Sequence, residues 1–77
     1  MQRSTNEMPP DIATILKQEG LMGDYEDRPR YQRNDYLGWI ARARRPDTRR
    51  KRIDQMVDEL TQGGIYMGMR HSPSRKD

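Results

Sequence analysis

Residues 36–53 read YLGWIARARRPDTRRKRI and contain the joint on which the fold depends. Proline is well suited to the first position of a helix, because the N–H that it lacks would have no intrahelical partner there. Asp47 follows in the first turn, where an acidic side chain complements the helix macrodipole. The residue before a proline is also biased away from helical geometry. The stretch therefore predicts that one helix ends before Pro46 and that another begins there.

Apolar side chains upstream of Pro46 fall within about 100° of one another on a helical wheel. They are Tyr36, Trp39, Ile40 and Ala43. This pattern predicts a helix over residues 31–44, with Gly38 on its outer face. Downstream, a second apolar stripe runs to the Gly63-Gly64 pair, which is typical of a helix end. It consists of Ile53, Met56, Val57 and Leu60, and it predicts a helix over residues 46–62.

The N-terminal third predicts a further helix, which begins at Pro10 and carries apolar residues at helical spacing. Ile12, Ile15 and Leu16 form this stripe, and Gly20 is placed to end it. We expect the helix over residues 10–19 and a possible short helix over 21–26.

The fold class predicted from these elements is all-α. It is a small three-helix bundle built on an αα-hairpin, with one extra short helical turn. The helical domain is expected over residues 9–67, and disordered tails are expected over 1–8 and 68–77.

Composition narrows the class of protein. The chain has 77 residues, no cysteine and a net charge of +3. It has no apolar leader at its start and no apolar run long enough to span a bilayer. We therefore expect a cytoplasmic protein.

Charge is divided unevenly along the chain. Residues 1–27 carry −4, residues 28–52 carry +8 and residues 53–77 carry −1. An acidic first third could dock on a basic middle, or the middle could attract an anionic partner.

Seven cations lie within eleven residues around the predicted turn: Arg42, Arg44, Arg45, Arg49, Arg50, Lys51 and Arg52. Such a cluster can bind phosphates by releasing counterions. It can also be a solvated helix face paired with neighbouring acids, which is the more common case. We keep both interpretations and name the candidate anion-binding or partner-binding residues as Arg45, Arg49, Arg52, Arg42 and Arg44.

Arg49 lies one turn before Ile53, close to the apolar stripe. An arginine in line with a core is rarely unpaired. One interpretation is a structural ion pair that caps the bundle, with Asp35, Glu19 or Asp24 as the acceptor. The other is an anion clamp that Arg49 forms with Arg52 or Arg45.

Two pairs of aromatic residues are predicted to have different roles. Tyr36 and Trp39 coincide with the apolar stripe and are expected in the core, although they could instead form a stacking platform. Tyr31 and Tyr66 lie outside the stripes and are the better candidates for exposed contacts. We expect that the protein is not an enzyme and binds no cofactor, because its single histidine, His71, falls in a predicted tail. We also expect no metal site, because the chain has too few metal ligands.

Residues 36–53, quoted above, also resemble part of the C-terminal domain of the bacteriocin-protection, YdeI/OmpD-associated family. Members of that family carry Tyr-x-x-Trp-Ile-x-x-Ala-Lys followed closely by Thr-Arg-x-x-Arg-Ile, and the likeness covers residues 9–62. The matching positions are Tyr36, Trp39, Ile40, Ala43, Thr48, Arg49, Arg52 and Ile53, and Arg44 stands where lysine is usual. The resemblance implies a link to bacteriocin or antimicrobial-peptide resistance, or to envelope stress.

These observations favour a non-enzymatic helical module that binds a protein partner. The main alternative is a nucleic-acid-associated protein that uses residues 42–52. Peripheral binding to an anionic membrane is a second alternative, and homodimerisation stays open because so short a chain buries little surface.

Overall fold

A computed structural model describes residues 7–70 of the chain. Its helices and strands are α1 (Pro10–Gln18), α2 (Met22–Asp27), α3 (Arg30–Ala41), α4 (Pro46–Gln62), β1 (Ile65–Tyr66) and β2 (Met69–Arg70). The all-α class predicted from the sequence is confirmed. None of the helices within residues 7–70 combines the length and the hydropathy that a bilayer-spanning helix requires.

The α1 helix ends at Gln18 and is followed, after the C-cap Glu19, by Gly20, whose φ of 69° is costly for other residues. The amide of Leu21 donates to the carbonyl of Leu16 at 2.8 Å, and the amide of Gly20 donates to Lys17 at 3.2 Å. These two bonds form a Schellman motif. The motif turns the chain so that Leu21, which is buried, begins the approach to α2.

The α3 helix ends at Ala41, three residues before the end of the predicted 31–44 helix. Arg45 precedes Pro46 and adopts extended geometry, with φ −113° and ψ 144°. Proline disfavours helical geometry in the residue before it, so α3 cannot run directly into α4. The chain changes direction in residues 42–45. We call this four-residue segment the basic loop.

The core forms where α3 packs on α4, while α2 packs on α1 and on α4. Its fully buried apolar residues include Ile12, Leu16, Tyr36, Ile40, Met56 and Leu60. Gly38 is also buried, so its predicted place on the outer face of the helix is wrong. Trp39 is half-buried and packs against the edge of the core.

A two-stranded antiparallel hairpin follows α4, with Ile65 opposite Arg70 and Tyr66 opposite Met69. The expected disordered tail from residue 68 is therefore wrong for residues 68–70. At the other end Met8, which falls in the predicted 1–8 tail, is half-buried and packs against the core. The remainder of the two predicted tails, 1–6 and 71–77, lies outside the described residues.

Candidate functional site

The basic loop lies at the end of the α3–α4 hairpin and carries Arg42, Arg44 and Arg45. All three side chains are exposed. Arg42 and Arg44 make no side-chain hydrogen bond or ion pair with any residue in the 7–70 span. Arg45 lies 3.9 Å from Asp47 in an ion pair whose members are both largely solvated. Such a pair contributes little to stability, so the loop arginines are accessible to a partner.

Arg49 has a different role, because its guanidinium forms a two-pronged ion pair with Asp11 of α1. Its Nη1 and Nη2 atoms donate to the two carboxylate oxygens at 2.7 and 3.2 Å. The hydrogen bond from Arg49 holds the pKa of the Asp11 carboxyl below its ordinary value. The acceptor is none of the three acids that the sequence analysis named. The pair nevertheless joins the acidic first third of the chain to the basic middle.

Arg52 is also bound within the fold. Its Nη1 donates to the main-chain carbonyl of Trp39 at 2.6 Å, and its guanidinium carbon lies 5.3 Å from the centre of the Trp39 ring. The last four carbonyls of a helix have no intrahelical partner, and the Trp39 carbonyl is among those in the last turn of α3. Arg52 therefore ties α4 to the end of α3 by a charged hydrogen bond and a cation–π contact.

The predicted cluster of cations is thus divided. Arg49 and Arg52 are bonded within the bundle, and Arg50 pairs with Asp54 at 3.2 Å on the surface of α4. Arg42, Arg44 and Arg45 remain together on the basic loop, and Lys51 is exposed on α4. The structure does not bring Arg49 and Arg52 together with the loop as an open anion clamp, because both have internal acceptors.

The aromatic predictions divide in a similar way. Tyr36 is fully buried, as expected for core. Tyr31 is 49% exposed, which agrees with a contact residue. Tyr66 does not fit the prediction of an exposed contact residue. It is half-buried, packs edge-on to Tyr36 and donates its hydroxyl to Asp35. Burial and this hydrogen bond raise the pKa of Tyr66 well above its ordinary value.

Buried polar side chains form a cluster that the sequence analysis missed. We call Arg28, Gln32, Tyr36 and Glu59 the polar socket. Arg28 is only 5% exposed, and its guanidinium donates to three acceptors. These are the Gln32 side chain at 3.2 Å, the Ile65 carbonyl at 2.7 Å and the Glu59 carbonyl at 3.1 Å.

Glu59 is 3% exposed and accepts hydrogen bonds from four donors. The Tyr36 hydroxyl and the Met67 amide bond to Oε1, the latter at 2.8 Å. The Gln55 side chain and the Gly68 amide bond to Oε2 at 3.0 and 2.7 Å. Burial of a carboxylate costs free energy unless the carboxylate accepts hydrogen bonds, and the four donors to Glu59 supply these bonds. Burial, and next the bond to Glu59, raise the pKa of Tyr36 far above its ordinary value.

A signal for Glu59 existed in the sequence, because it lies three residues after Met56 and immediately before Leu60 on the apolar face of α4. Arg28 gave no such signal, since it falls between two helices and belongs to no stripe. Within residues 7–70, no three His, Cys, Asp or Glu side chains are grouped so that they could hold a metal ion.

Comparison with known proteins gives one match. The model of the family described as bacteriocin-protection, YdeI or OmpD-associated matches residues 5–63. No curated protein and no solved structure matches the chain. The family motif has a structural explanation here, since Tyr36, Ile40 and Ile53 lie in the core while Arg49 and Arg52 tie the helices together. The chain belongs to the bacteriocin-protection, YdeI or OmpD-associated family.

Proposed function

We propose that the chain is a non-enzymatic module that binds an acidic surface of a partner protein through the basic loop. The observation that carries the proposal is the separation of the arginines into two groups. Those on α4 are bonded internally, whereas Arg42 and Arg44 are exposed and have no acceptor in the described part of the chain. Exposed charges of one sign attract and orient a partner of opposite charge.

A binding role rather than a catalytic one is supported by the state of the buried polar groups. General acid–base catalysis needs a group that can reach a substrate proton. Arg28 and Glu59 are instead almost completely buried and form hydrogen bonds with main-chain and side-chain groups of the same chain. The description of the family connects the module to bacteriocin protection, and we propose that its partner acts in that process. Cytoplasmic localisation stays a prediction from the sequence.

A protein partner is favoured over nucleic acid because carboxylates interrupt the basic surface. Asp47 lies beside Arg45 and Asp54 beside Arg50, and both acids would face a phosphate backbone unfavourably. Arg42, Arg44 and Lys51 are left as cations without an internal partner in the 7–70 region. Three phosphate contacts would give binding that falls roughly 40-fold between 50 and 200 mM salt, which is a modest electrostatic contribution.

Nucleic-acid binding is the second candidate, and the density of exposed arginine on the basic loop is the observation that favours it. Affinity capture from nuclease-treated and untreated bacterial lysate, followed by mass spectrometry, separates the two. We expect the same acidic protein to be enriched from both lysates. Capture that disappears with nuclease would transfer the function to nucleic acid.

A matched pair of variants assigns the binding to the loop. Arg42→Gln/Arg44→Gln and Lys17→Gln/Arg30→Gln each remove two exposed cations and lower the net charge equally. Only the first double variant should lose the captured partner. Equal loss in both would indicate non-specific attraction to the net charge, and retention in both would remove the basic loop from the proposal.

A further inference from the structure

The polar socket holds the β1–β2 hairpin, called the hairpin below, through hydrogen bonds to its main-chain groups. Arg28 donates to the Ile65 carbonyl at 2.7 Å, and Glu59 accepts from the Met67 and Gly68 amides at 2.8 and 2.7 Å. Every peptide has carbonyl and amide groups, so these three bonds do not depend on the side chains of the hairpin. The socket thus has the donor and acceptors of a site that binds a peptide turn.

The hairpin that fills the socket is the least self-sufficient element described. Its strands have two residues each, and an isolated hairpin is at best marginally stable. Met67 has a φ of 52°, in the left-handed region that a side chain disfavours. Gly63 and Gly64, both with positive φ, connect the hairpin to α4. The four socket residues fall within the 5–63 stretch that matches the family, whereas the hairpin lies beyond it.

Release of the β1–β2 hairpin would remove the three hydrogen bonds that the socket makes to main-chain groups of the hairpin. Glu59 would keep the bonds from Tyr36 and Gln55 and lose both amide donors, while Arg28 would lose its shortest bond. Water reaches Glu59 and Arg28 once the hairpin has left, so a replacement segment must exchange that water for direct hydrogen bonds. The opened socket is therefore complementary to a segment that offers one carbonyl and two consecutive amides.

We propose that the polar socket is a peptide-binding site, filled in cis by the chain's own hairpin, which accepts a turn-forming segment of a partner protein in its place. This site is separate from the basic loop. Gln32 of the socket and Arg42 of the loop are ten residues apart, which corresponds to about 15 Å along a helix.

The hairpin itself shows the chemistry of the ligand. The Tyr66 ring lies edge-on to Tyr36 and to Tyr31, with ring centres 5.5 and 6.0 Å apart, and its hydroxyl reaches Asp35. The next two residues present their amides to Glu59 with φ of 52° and 80°. The ligand class is therefore a turn with an aromatic residue followed by two left-handed residues, the second a glycine.

The test uses the full chain and a labelled, end-blocked peptide with the sequence of residues 64–70. Valine is strained at the φ of 80° that Gly68 adopts, although a side chain there meets no atom within 4 Å. We expect Gly68→Val to increase the open fraction of the socket roughly 5- to 30-fold and to tighten peptide binding by the same factor. Gly20→Val is the matched control, because Gly20 has a φ of 69° and equally open surroundings in a different part of the fold.

A second peptide leaves the protein unchanged. Methylation of the two amides that correspond to Met67 and Gly68 removes both donors to Glu59 and should weaken binding to the Gly68→Val variant at least about 10-fold. Fluorescence anisotropy measures both affinities, and circular dichroism checks that each variant remains helical.

Tighter binding by Gly68→Val than by Gly20→Val, together with the loss on methylation, would support the proposal. Equal affinity of these two variants, or equal affinity for the two peptides, would overturn it. A concentration-dependent dimer of the Gly68→Val variant, detected by sedimentation, would assign the socket to the hairpin of a second copy and overturn the assignment to a partner protein. None of these outcomes depends on Arg42 or Arg44, so the proposed function of the basic loop stands or fails separately.

Discussion

The two ends of the α3–α4 hairpin are both rich in polar side chains, but only one end satisfies them internally. At the socket end, Arg28 and Glu59 are almost completely buried and are bonded to main-chain groups. At the basic-loop end, Arg42 and Arg44 are exposed and have no acceptor within the described residues. An arginine can thus be structural or available for binding in the same short chain, and its acceptors distinguish the two roles.

The largest effect is expected at the socket end, from Glu59→Ala. This change leaves the Tyr36 hydroxyl and the amides of Met67 and Gly68 without their acceptor. Because the buried Tyr36 hydroxyl alone costs about 1–3 kcal/mol when unsatisfied and the two part-buried amides add to this, we expect the free energy of unfolding to fall by about 2–3 kcal/mol. Urea titration followed by circular dichroism measures it.

Asp58→Ala is the control for Glu59→Ala. Asp58 is the preceding residue on α4, is exposed, and within residues 7–70 its side chain bonds to the Gln62 side chain alone. Its loss should change stability by less than about 0.5 kcal/mol. Similar losses from the two variants would show that the socket end is no more dependent on its polar groups than the surface is.

Alkaline pH tests the same end without a large change in packing. The pKa of Tyr36 is raised in the folded chain, so the folded state holds its proton above pH 10 while the unfolded state loses it. Stability is fully present below pH 10 and declines above it, by about 1.4 kcal/mol per pH unit for each such tyrosine. Tyr36→Phe should make the slope of unfolding free energy between pH 10 and 11.5 shallower by about this amount. An unchanged slope would contradict the burial of this hydroxyl.

Much of the fold could be predicted because it follows from local rules. Pro10 and Pro46 begin helices, Gly20 and Gly63 end them, and the apolar periodicity identifies the faces that pack. The hairpin was missed because its stability comes from outside its own sequence. Glu59 and Arg28 supply its hydrogen bonds across 8–9 and 37 residues respectively, and no local pattern encodes such contacts.

The candidate site could be predicted only in part, because its composition is local but its contacts are long-range. The density of arginine on the basic loop is visible in the sequence, but the distribution of partners is not. Helical-wheel geometry placed Arg49 near the core and suggested an ion pair. It could not identify Asp11, because that choice depends on how α1 crosses the end of α4.

The Arg49–Asp11 pair is intermediate between the two ends, since both side chains are partly exposed. Asp11→Asn should lower the free energy of unfolding by about 0.2–1 kcal/mol, and less at high salt, because exposed ion pairs are screened. The pKa of Asp11 is lowered in the folded chain. The contribution is therefore present above the unfolded pKa of about 4 and is lost as the pH falls through the folded pKa. Thermal melts at pH 7 and at pH 2–4 measure both effects, and a difference between wild type and variant that stays constant with pH would exclude a charged pair.

The smallest effect on stability is expected at the basic loop. Arg42→Gln/Arg44→Gln removes no internal bond from the described structure, so the free energy of unfolding should change by less than about 0.5 kcal/mol. Any change should be stabilising, because the substitutions relieve repulsion between like charges. Urea titration beside the Lys17→Gln/Arg30→Gln control measures it. A loss of more than about 1 kcal/mol would place these arginines with Arg49 and Arg52 among the residues that hold the helices together. Unchanged stability with loss of the captured partner would instead mean that the fold leaves these two arginines free for binding.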